Sequence, residues 1–359
     1  MLLRRLIVIL FVSASSLVSA DYAALDATKL LNRIAFGSCA FQSVEQPIFR
    51  AIANSRPDLY LSLGDSIYAD YDQQTGETYP VTADTLRREW QVLADSPDWQ
   101  YLVDRVPVMA TWDNHDYGHH SAGAEFPLKE ISAEIFLDFF AEPPDSPRRQ
   151  RQGIYAARIF GPEDKRVQVI MLDTRSFKSL PVLAQRQEGA GGSLGKYAPN
   201  TDSEITLLGA DQWQWLAEQL RKPAEIRLIA SSGQVIADQK GMDEWGNYPG
   251  ERLRLFDTIV ASEAAGVILL SGNVHFSEIS RTSYADHTLV DFTSSGLTHV
   301  KEEYAQADNP YRVAGPYVAE NFGLVEIEWG TGGAATVILR GMDIEGKRVF
   351  EYSLGIATH

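Results

Sequence analysis

The feature that most constrains the fold of this chain is a succession of short apolar runs that alternate with segments of helical spacing. The runs are rich in β-branched residues and have the length of buried strands. The predicted strands are 33–36, 59–63, 106–111, 167–172, 226–231, 267–271 and 289–293. The predicted helices are 47–54, 84–94, 133–140, 210–220 and 251–261. This alternation predicts an α/β protein whose helices cover its sheets.

The pattern changes near the carboxyl end of the chain, where apolar runs follow one another without helices. Runs 323–329, 335–339 and 348–354 are separated by glycine-rich turns and predict an antiparallel edge or second sheet. Two further stretches, 71–82 and 179–203, are predicted to be long surface loops. We interpret residues 21–359 as a single domain.

The first twenty residues are typical of a secretory signal peptide. Arg4 and Arg5 precede the apolar run 6–12, and Val18-Ser19-Ala20 is a small-residue cleavage site. The apolar run is shorter than the ~20 residues of a membrane-spanning helix, so no stable membrane insertion is expected. The arginine pair lacks the polar residue before it and the phenylalanine after it that a twin-arginine signal carries, which favours the general secretory route. The sequence thus predicts a secreted or periplasmic protein.

Composition limits the partners of the chain. A net charge of −16 argues against a nucleic-acid or anionic-membrane surface, because both require basic residues. Small anionic substrates are compatible with this charge if bound cations reverse the local field. Cys39 is the single cysteine, so the chain forms no internal disulfide.

Polar side chains follow four of the predicted strands, at the strand ends where substrates bind in α/β folds. The four runs are Gly37-Ser38-Cys39, Gly64-Asp65-Ser66-Ile67-Tyr68-Ala69-Asp70, Trp112-Asp113-Asn114-His115-Asp116 and Gly272-Asn273-Val274-His275. Each alone is more often structural, since a lone buried cysteine acts as a small hydrophobe and a Gly-Asp pair as a turn. Together they predict a site, because core packing gives no reason to gather polar groups there.

In this order and approximate spacing, the four runs and Leu172-Asp173-Thr174-Arg175 resemble the calcineurin-like metallophosphoesterase superfamily. More closely they resemble its alkaline phosphatase D (PhoD-like) family, from about residue 33 to 298. The combination of Cys39 with Asp65 and Tyr68 distinguishes this branch from the Asp-x-His branches. The resemblance implies a four-layer αββα sandwich with two mixed β-sheets and a metal site at one sheet edge. The first motif follows the signal peptide closely, so the amino-terminal β-domain of better-known members is not expected.

The resemblance also implies two metal ions. Cys39, Tyr68 and His275 would hold the first, and their anionic donors suit Fe3+. Asp65 would bridge both ions. Asn114 and Asn273 would hold the second through amide oxygens, which favour Ca2+, with Mn2+, Mg2+ or Zn2+ as alternatives.

The chain departs from the family pattern at the second metal. Asn273 stands where a histidine or aspartate is usual, and Gln234 stands near a position where the superfamily has a histidine. Gln234 is therefore a candidate ligand. His299 resembles a further family position near the site.

The resemblance implies hydrolysis of a small phosphate ester by a metal-activated water, with no protein nucleophile. His115 would donate a proton to the leaving oxygen, oriented by Asp113 or Asp116. Arg175, next to Asp173 at a strand end, is a candidate for bidentate phosphate contact, and a surface ion pair is the alternative.

Other functions stay open from the sequence. The ester can be a monoester or a diester, including a phospholipid. A non-catalytic exported metal- or phosphate-binding protein with the same fold is supported by Asn273. A hydrolase with Cys39 as nucleophile is a third hypothesis, and resistance to chelation would distinguish it.

Overall fold

The computed structural model describes residues 22–73, 75–184 and 195–356. The predicted signal peptide lies outside these residues. The strands are β1 (Arg33–Gly37), β2 (Leu59–Ser62), β3 (Val108–Ala110), β4 (Ala156–Phe160), β5 (Val167–Met171), β6 (Val182–Leu183), β7 (Tyr197–Ala198), β8 (Ile226–Ala230), β9 (Val267–Ser271), β10 (Ser277–Tyr284), β11 (His287–Ser294), β12 (Arg312–Tyr317), β13 (Asn321–Trp329), β14 (Ala335–Asp343) and β15 (Arg348–Ile356). The α-helices are α1 (Pro47–Asn54), α2 (Ala83–Ala94), α3 (Pro97–Val103), α4 (Asn114–Tyr117), α5 (Lys129–Phe139), α6 (Gly209–Leu220), α7 (Pro249–Ala261) and α8 (Glu302–Ala305).

Two large mixed sheets contain most of the strands. The six-stranded sheet has the order β15-β14-β13-β1-β2-β3, and the seven-stranded sheet has the order β12-β10-β11-β9-β8-β5-β4. Strands β1, β2 and β3 are parallel to one another, as are β5, β8, β9 and β11. The remaining pairings in both sheets are antiparallel. The mixed α/β prediction is therefore confirmed.

Three apolar layers hold the sandwich together, because successive side chains of a strand point to opposite faces. Ile34 and Phe36 of β1 face the core between the sheets, where the rings of Phe36 and Phe292 meet edge to face at 4.8 Å. Ala35 faces a second core under α1, α2, α3 and α5. On the other sheet, Leu269 faces a third core under α6 and α7. Helices thus cover the outer face of each sheet, as the αββα prediction requires.

The elements that the sequence did not predict are short or carry polar residues in buried positions. Helix α3 spans 7 residues, and β10 begins with the buried polar pair Ser277 and Glu278. The predicted loop 179–203 contains the two-stranded hairpin of β6 and β7, whose intervening residues 185–194 lie outside the described part. The predicted loop 71–82 is a loop with one isolated bridge between Tyr71 and Thr78.

Among the helices of the described residues, none is both long and apolar enough to cross a membrane.

We expect Leu270→Ala to lower the free energy of unfolding by about 2–5 kcal/mol, because it opens a cavity in the core between the sheets. Leu270 is fully buried there. Leu253→Ala is the matched control, since Leu253 is 47% exposed on α7 and should change stability by less than about 0.5 kcal/mol. Chemical denaturation measures both variants. Equal losses would contradict the assignment of Leu270 to the central layer.

Candidate metal centre

The loops that follow the parallel strands of both sheets meet at one edge of the sandwich. The backbone N–H of Gly296, after β11, donates to the carbonyl of Ser38, after β1, at 3.1 Å. The hydroxyl of Thr111, after β3, donates to the carbonyl of Leu172, after β5, at 2.6 Å. These hydrogen bonds join the strand-end loops of the two sheets into one surface.

Three predicted ligands form a tight group on this surface. Ligand atoms of Cys39, Asp65 and His275 all lie within 4.8 Å of one another. The Cys39 thiol donates to Asp65 Oδ2 at 3.6 Å, and the Ser295 hydroxyl donates to the Cys39 sulfur at 3.1 Å. His275 Nδ1 is buried and has no hydrogen-bond partner among the described residues. Thiol, carboxylate and imidazole at this spacing can hold one cation.

Tyr68 lies beside this group. Its hydroxyl is 3.2 Å from His299 Nε2, and its ring centroid is 4.3 Å from that of His115. The His299 ring in turn lies 4.4 Å from the His275 ring. The structure therefore brings both Tyr68 and His299 to the group of Cys39, Asp65 and His275.

The two asparagines approach the same group from the two sheets. Asn114 begins α4 and is buried, and its Nδ2 has no hydrogen-bond partner within the described residues. Asn273 donates from Nδ2 to the carbonyl of Asp243 at 2.8 Å and from its backbone N–H to the Ser38 hydroxyl at 3.3 Å. Because the Asn273 nitrogen is engaged, its amide oxygen is the atom available as a ligand.

Four of the six predicted ligands have a left-handed backbone. The φ angles are 63° at Cys39, 50° at Asp65, 70° at Asn273 and 59° at His275. Non-glycine residues rarely adopt this conformation, which costs of order 1–3 kcal/mol at strained positions. Such strain persists where the surrounding structure enforces it, and it occurs preferentially at functional sites. The backbone thus turns sharply at these four strand ends, and three of the four side chains belong to the tight group described above.

One buried carboxylate fixes the loop of Asp65. Asp116 accepts hydrogen bonds from the backbone N–H groups of Asp65, Ser66 and Ile67 at 2.5, 2.8 and 3.1 Å, and from that of Asp113 at 2.9 Å. Burial raises the pKa of Asp116 to about 7, against the effect of these donors. Asp116 thus positions two loops of the centre and contacts no predicted ligand side chain.

The orienting partner of His115 is Asp70, so the prediction of Asp113 or Asp116 was wrong. His115 Nδ1 lies 2.5 Å from Asp70 Oδ1, while the backbone N–H of His115 donates to Asp65 Oδ1 at 3.2 Å. Asp116 is committed to backbone groups and Asp113 to Arg175. Asp70 stands in the same loop as Asp65, and only the course of that loop shows which acid reaches the imidazole.

Arg175 is buried in a cluster of charges next to the centre. Its Nε donates to Asp113 Oδ1 at 2.7 Å, and its Nη1 donates to Asp243 Oδ2 at 2.5 Å. Lys178 Nζ lies 3.3 Å from the same Asp243 oxygen. Against burial, Arg175 and Lys178 hold the pKa of Asp243 below its usual range. With 2% side-chain exposure, Arg175 forms an internal ion pair and not the surface pair that was its alternative.

Asp173 and Gln234 occupy structural positions. Asp173 accepts hydrogen bonds from Trp112 Nε1 at 2.8 Å and from the backbone of Ile154 at 2.9 Å, which fixes the turn after β5. Gln234 is buried, and its amide nitrogen donates to Glu278 at 2.9 Å and Thr293 at 2.8 Å. Its oxygen has no partner among the described residues.

Burial shapes the electrostatics of the centre. It raises the pKa of Asp65 well above its usual value, and together with the charge of Asp65 it raises the pKa of Cys39. Burial, and then the charge of His299, lower the pKa of His275. A cation would offset the cost of holding the carboxylate and thiolate in their charged forms and would favour the neutral imidazole. The donor set therefore fits a metal ion.

Comparison with known proteins identifies the family of the chain. A family model described as PhoD-like phosphatase matches residues 34–321. The chain belongs to the PhoD-like phosphatase family. Alkaline phosphatase D of Bacillus subtilis (strain 168) is 24% identical over 300 residues. That match covers 73% of the present chain and 48% of the relative, so the chain spans about half the length of this curated relative.

Two solved structures share the fold of this PhoD-like chain. The structure of PhoD has a TM-score of 0.68 at 19% identity, covering 93% of the present chain and 70% of the other. GAP50, described as the anchor in the inner membrane complex of Plasmodium, has a TM-score of 0.53 at 12% identity, covering 92% and 90%. At these identities the likeness establishes the fold alone.

We expect Asp70→Asn to lower the pKa of His115 in metal-free protein. Burial lowers the pKa of this imidazole, but the charges of Asp65 and Asp70 outweigh it and leave the pKa above its usual value. Protonated His115 therefore favours the folded state below about pH 6.5, and this contribution is lost as pH rises through the folded-state pKa. Asp70→Asn removes one of these charges, so both the rise in the pKa of His115 and its contribution to stability should become smaller.

An NMR titration of the histidine resonances measures the change. Asp84→Asn is the control, because Asp84 is an acid on α2 with 98% side-chain exposure. An unchanged pKa of His115 in Asp70→Asn would show that Asp70 does not govern this imidazole.

Proposed function

We propose that this PhoD-like chain is an exported two-metal phosphoesterase that hydrolyses phosphate monoesters or diesters. The observation that carries the proposal is the grouping of Cys39, Asp65 and His275, whose ligand atoms lie within 4.8 Å of one another and whose backbone, like that of Asn273, is left-handed. Strained backbone at four residues with ligand side chains has no explanation in core packing. Membership of a phosphatase family supports the same conclusion.

In this proposal Cys39, Tyr68 and His275 would hold the first cation, Asn114 and Asn273 would hold the second, and Asp65 would contribute to both. Thiolate and phenolate are strong anionic donors that suit Fe3+. Neutral amide oxygens suit Ca2+, with Mn2+, Mg2+ or Zn2+ as alternatives. When bound, the two cations would supply Lewis acidity for the phosphoryl oxygens and lower the pKa of a water molecule.

The residues of the chain would supply the proton and the orientation. Asp70 engages His115 through Nδ1 and so leaves Nε2 to donate a proton to the leaving oxygen. Against burial, the carboxylate of Asp70 helps to raise the pKa of His115 in metal-free protein, which favours the protonated form that a general acid requires. A direct phosphate contact by Arg175 is also part of the proposal. For this contact, a guanidinium nitrogen that now donates to Asp113 or Asp243 would have to donate to the phosphate instead.

The burial of Cys39 speaks against its acting as a nucleophile. Its side chain is fully buried, and burial raises the pKa of the thiol, whereas nucleophilic cysteines are accessible and have a lowered pKa. A buried thiol with Asp65 and His275 as neighbours is better placed to bind a metal.

We expect protein purified without added metal to contain iron and a second divalent ion, and to hydrolyse a chromogenic monoester or diester. Chelation should reduce turnover to background, because the proposal includes no protein nucleophile. Elemental analysis and rate measurements before and after chelation test this, and the two esters compare substrate classes. Bound metal without turnover would favour the non-catalytic binding protein, and chelator-resistant turnover would favour Cys39 chemistry.

We expect His115→Gln to lower kcat by about 10²–10⁴-fold, the usual contribution of a positioned general acid. Metal content should not change, because the imidazole of His115 is not a proposed ligand. His119→Gln is the matched control, since His119 lies in the next loop and is exposed. An equal loss in both variants would remove His115 from its proposed role.

A further inference from the structure

A cavity lies between the end strands of the two sheets, and none of the proposed metal ligands lines it. This edge cleft has a volume of about 370 Å³, and β3 and β4, the last strands of their sheets, both line it. Leu25, Phe140 and Trp215, which are half-buried, contribute apolar surface. The volume is in the range of small-molecule sites in proteins.

The charged residues of the edge cleft are mostly basic, although the chain as a whole has a net charge of −16. Glu142 is the single acid among the described residues that line it, and Arg148 pairs with that carboxylate at 2.7 Å. Arg151, Arg158 and Lys222 remain, with a combined formal charge of +3. Three cations around one cleft repel one another unless an anion is bound between them.

Most of the donors of these three cations are unused. Across residues 22–73, 75–184 and 195–356, the side chains of Arg158 and Lys222 form no hydrogen bond or ion pair, and both residues are exposed. Arg151 Nε is buried without a partner in the same residues. The Arg151 guanidinium lies 3.7 Å from the ring centroid of Tyr155, which restricts its orientation. An arginine stacked in this way loses little freedom on binding an anion.

We propose that the edge cleft binds an organic phosphate dianion. Arg151, Arg158 and Lys222 would contact the phosphate, because a dianion satisfies several cations at once. The apolar group would lie against Leu25, Phe140 and Trp215, which line the same cleft and are half-buried. This site is separate from the metal centre and does not depend on the proposed hydrolysis.

Calorimetric titration of the protein as purified tests the proposal with two probes. Phenylphosphonate and methylphosphonate contain no ester bond for a phosphoesterase to cleave. At a pH above the second pKa of both acids they are dianions with the same headgroup, and they then differ in the size of the apolar group. Lys222→Glu alters the cleft, and Arg221→Glu is the matched control, because Arg221 is the adjacent exposed residue and does not line the cleft. The wild type and the two variants have the same metal centre, so any heat from phosphonate binding at that centre is the same in all three titrations.

We expect a phenylphosphonate site in the wild type and in Arg221→Glu that is about tenfold or more weaker in Lys222→Glu, as reversal of a direct phosphate contact implies. Methylphosphonate should bind the same site about tenfold more weakly, because it buries less apolar surface. Identical titrations of the two variants would overturn the proposal. Equal affinity for the two probes would overturn the assigned role of the apolar surface. The readout is binding heat, so the result stands whether or not the chain hydrolyses an ester.

Discussion

The geometry of the candidate metal centre depends on the carboxylate of Asp116, although this side chain is not a predicted ligand. It collects four backbone N–H groups from two strand-end loops, those of Asp65, Ser66, Ile67 and Asp113. A buried carboxylate requires such donors, and the loops require an acceptor because their sharp turns leave no partner in the sheet. The N–H groups of the loops therefore satisfy the buried carboxylate, and the carboxylate gives these N–H groups a hydrogen-bond acceptor. The left-handed conformation of Asp65 is maintained by this arrangement.

Ionic contacts extend this constraint from one sheet to the other. Asp113, from the six-stranded side, binds Arg175 from the seven-stranded side, and Arg175 also binds Asp243. The carbonyl of Asp243 accepts from Asn273, so a continuous path joins the loops of Asn114 and Asn273. Removal of one charged residue from a buried ionic group leaves the charges of the other residues uncompensated. The spacing of the two asparagines is thus a property of the whole sandwich.

Sequence reasoning predicted the layered fold and the strand ends, because buried strands and amphipathic helices leave strong periodic patterns. Helix 47–54 and strand 267–271 have the predicted bounds. The apolar pattern did not predict β10, because this strand contains the buried carboxylate of Glu278. Arg312 and Gln234, which are distant in sequence, compensate that carboxylate. Sequence reasoning failed at Asp70 for a similar reason, since Asp113 and Asp116 lie next to His115 in sequence, whereas Asp70 is 45 positions away and only the path of its loop brings it to the imidazole. Cation clusters such as the edge cleft depend on contacts between sheets, which local sequence does not encode.

The pairing of β1 has a consequence for the order in which the molecule can be completed. This strand lies between β2 and β13, and Arg33 of β1 is paired with Glu326 of β13, 293 positions later in the chain. Pairings over such separations form slowly, because a long loop must close before any contact compensates for the lost entropy. The strand that leads to Cys39 therefore keeps one open edge until β13 is available to pair with it. A chain that lacked β13 would expose that edge of β1 to other chains, so the carboxyl-terminal strands protect the sheet that carries Cys39 and Asp65 from association.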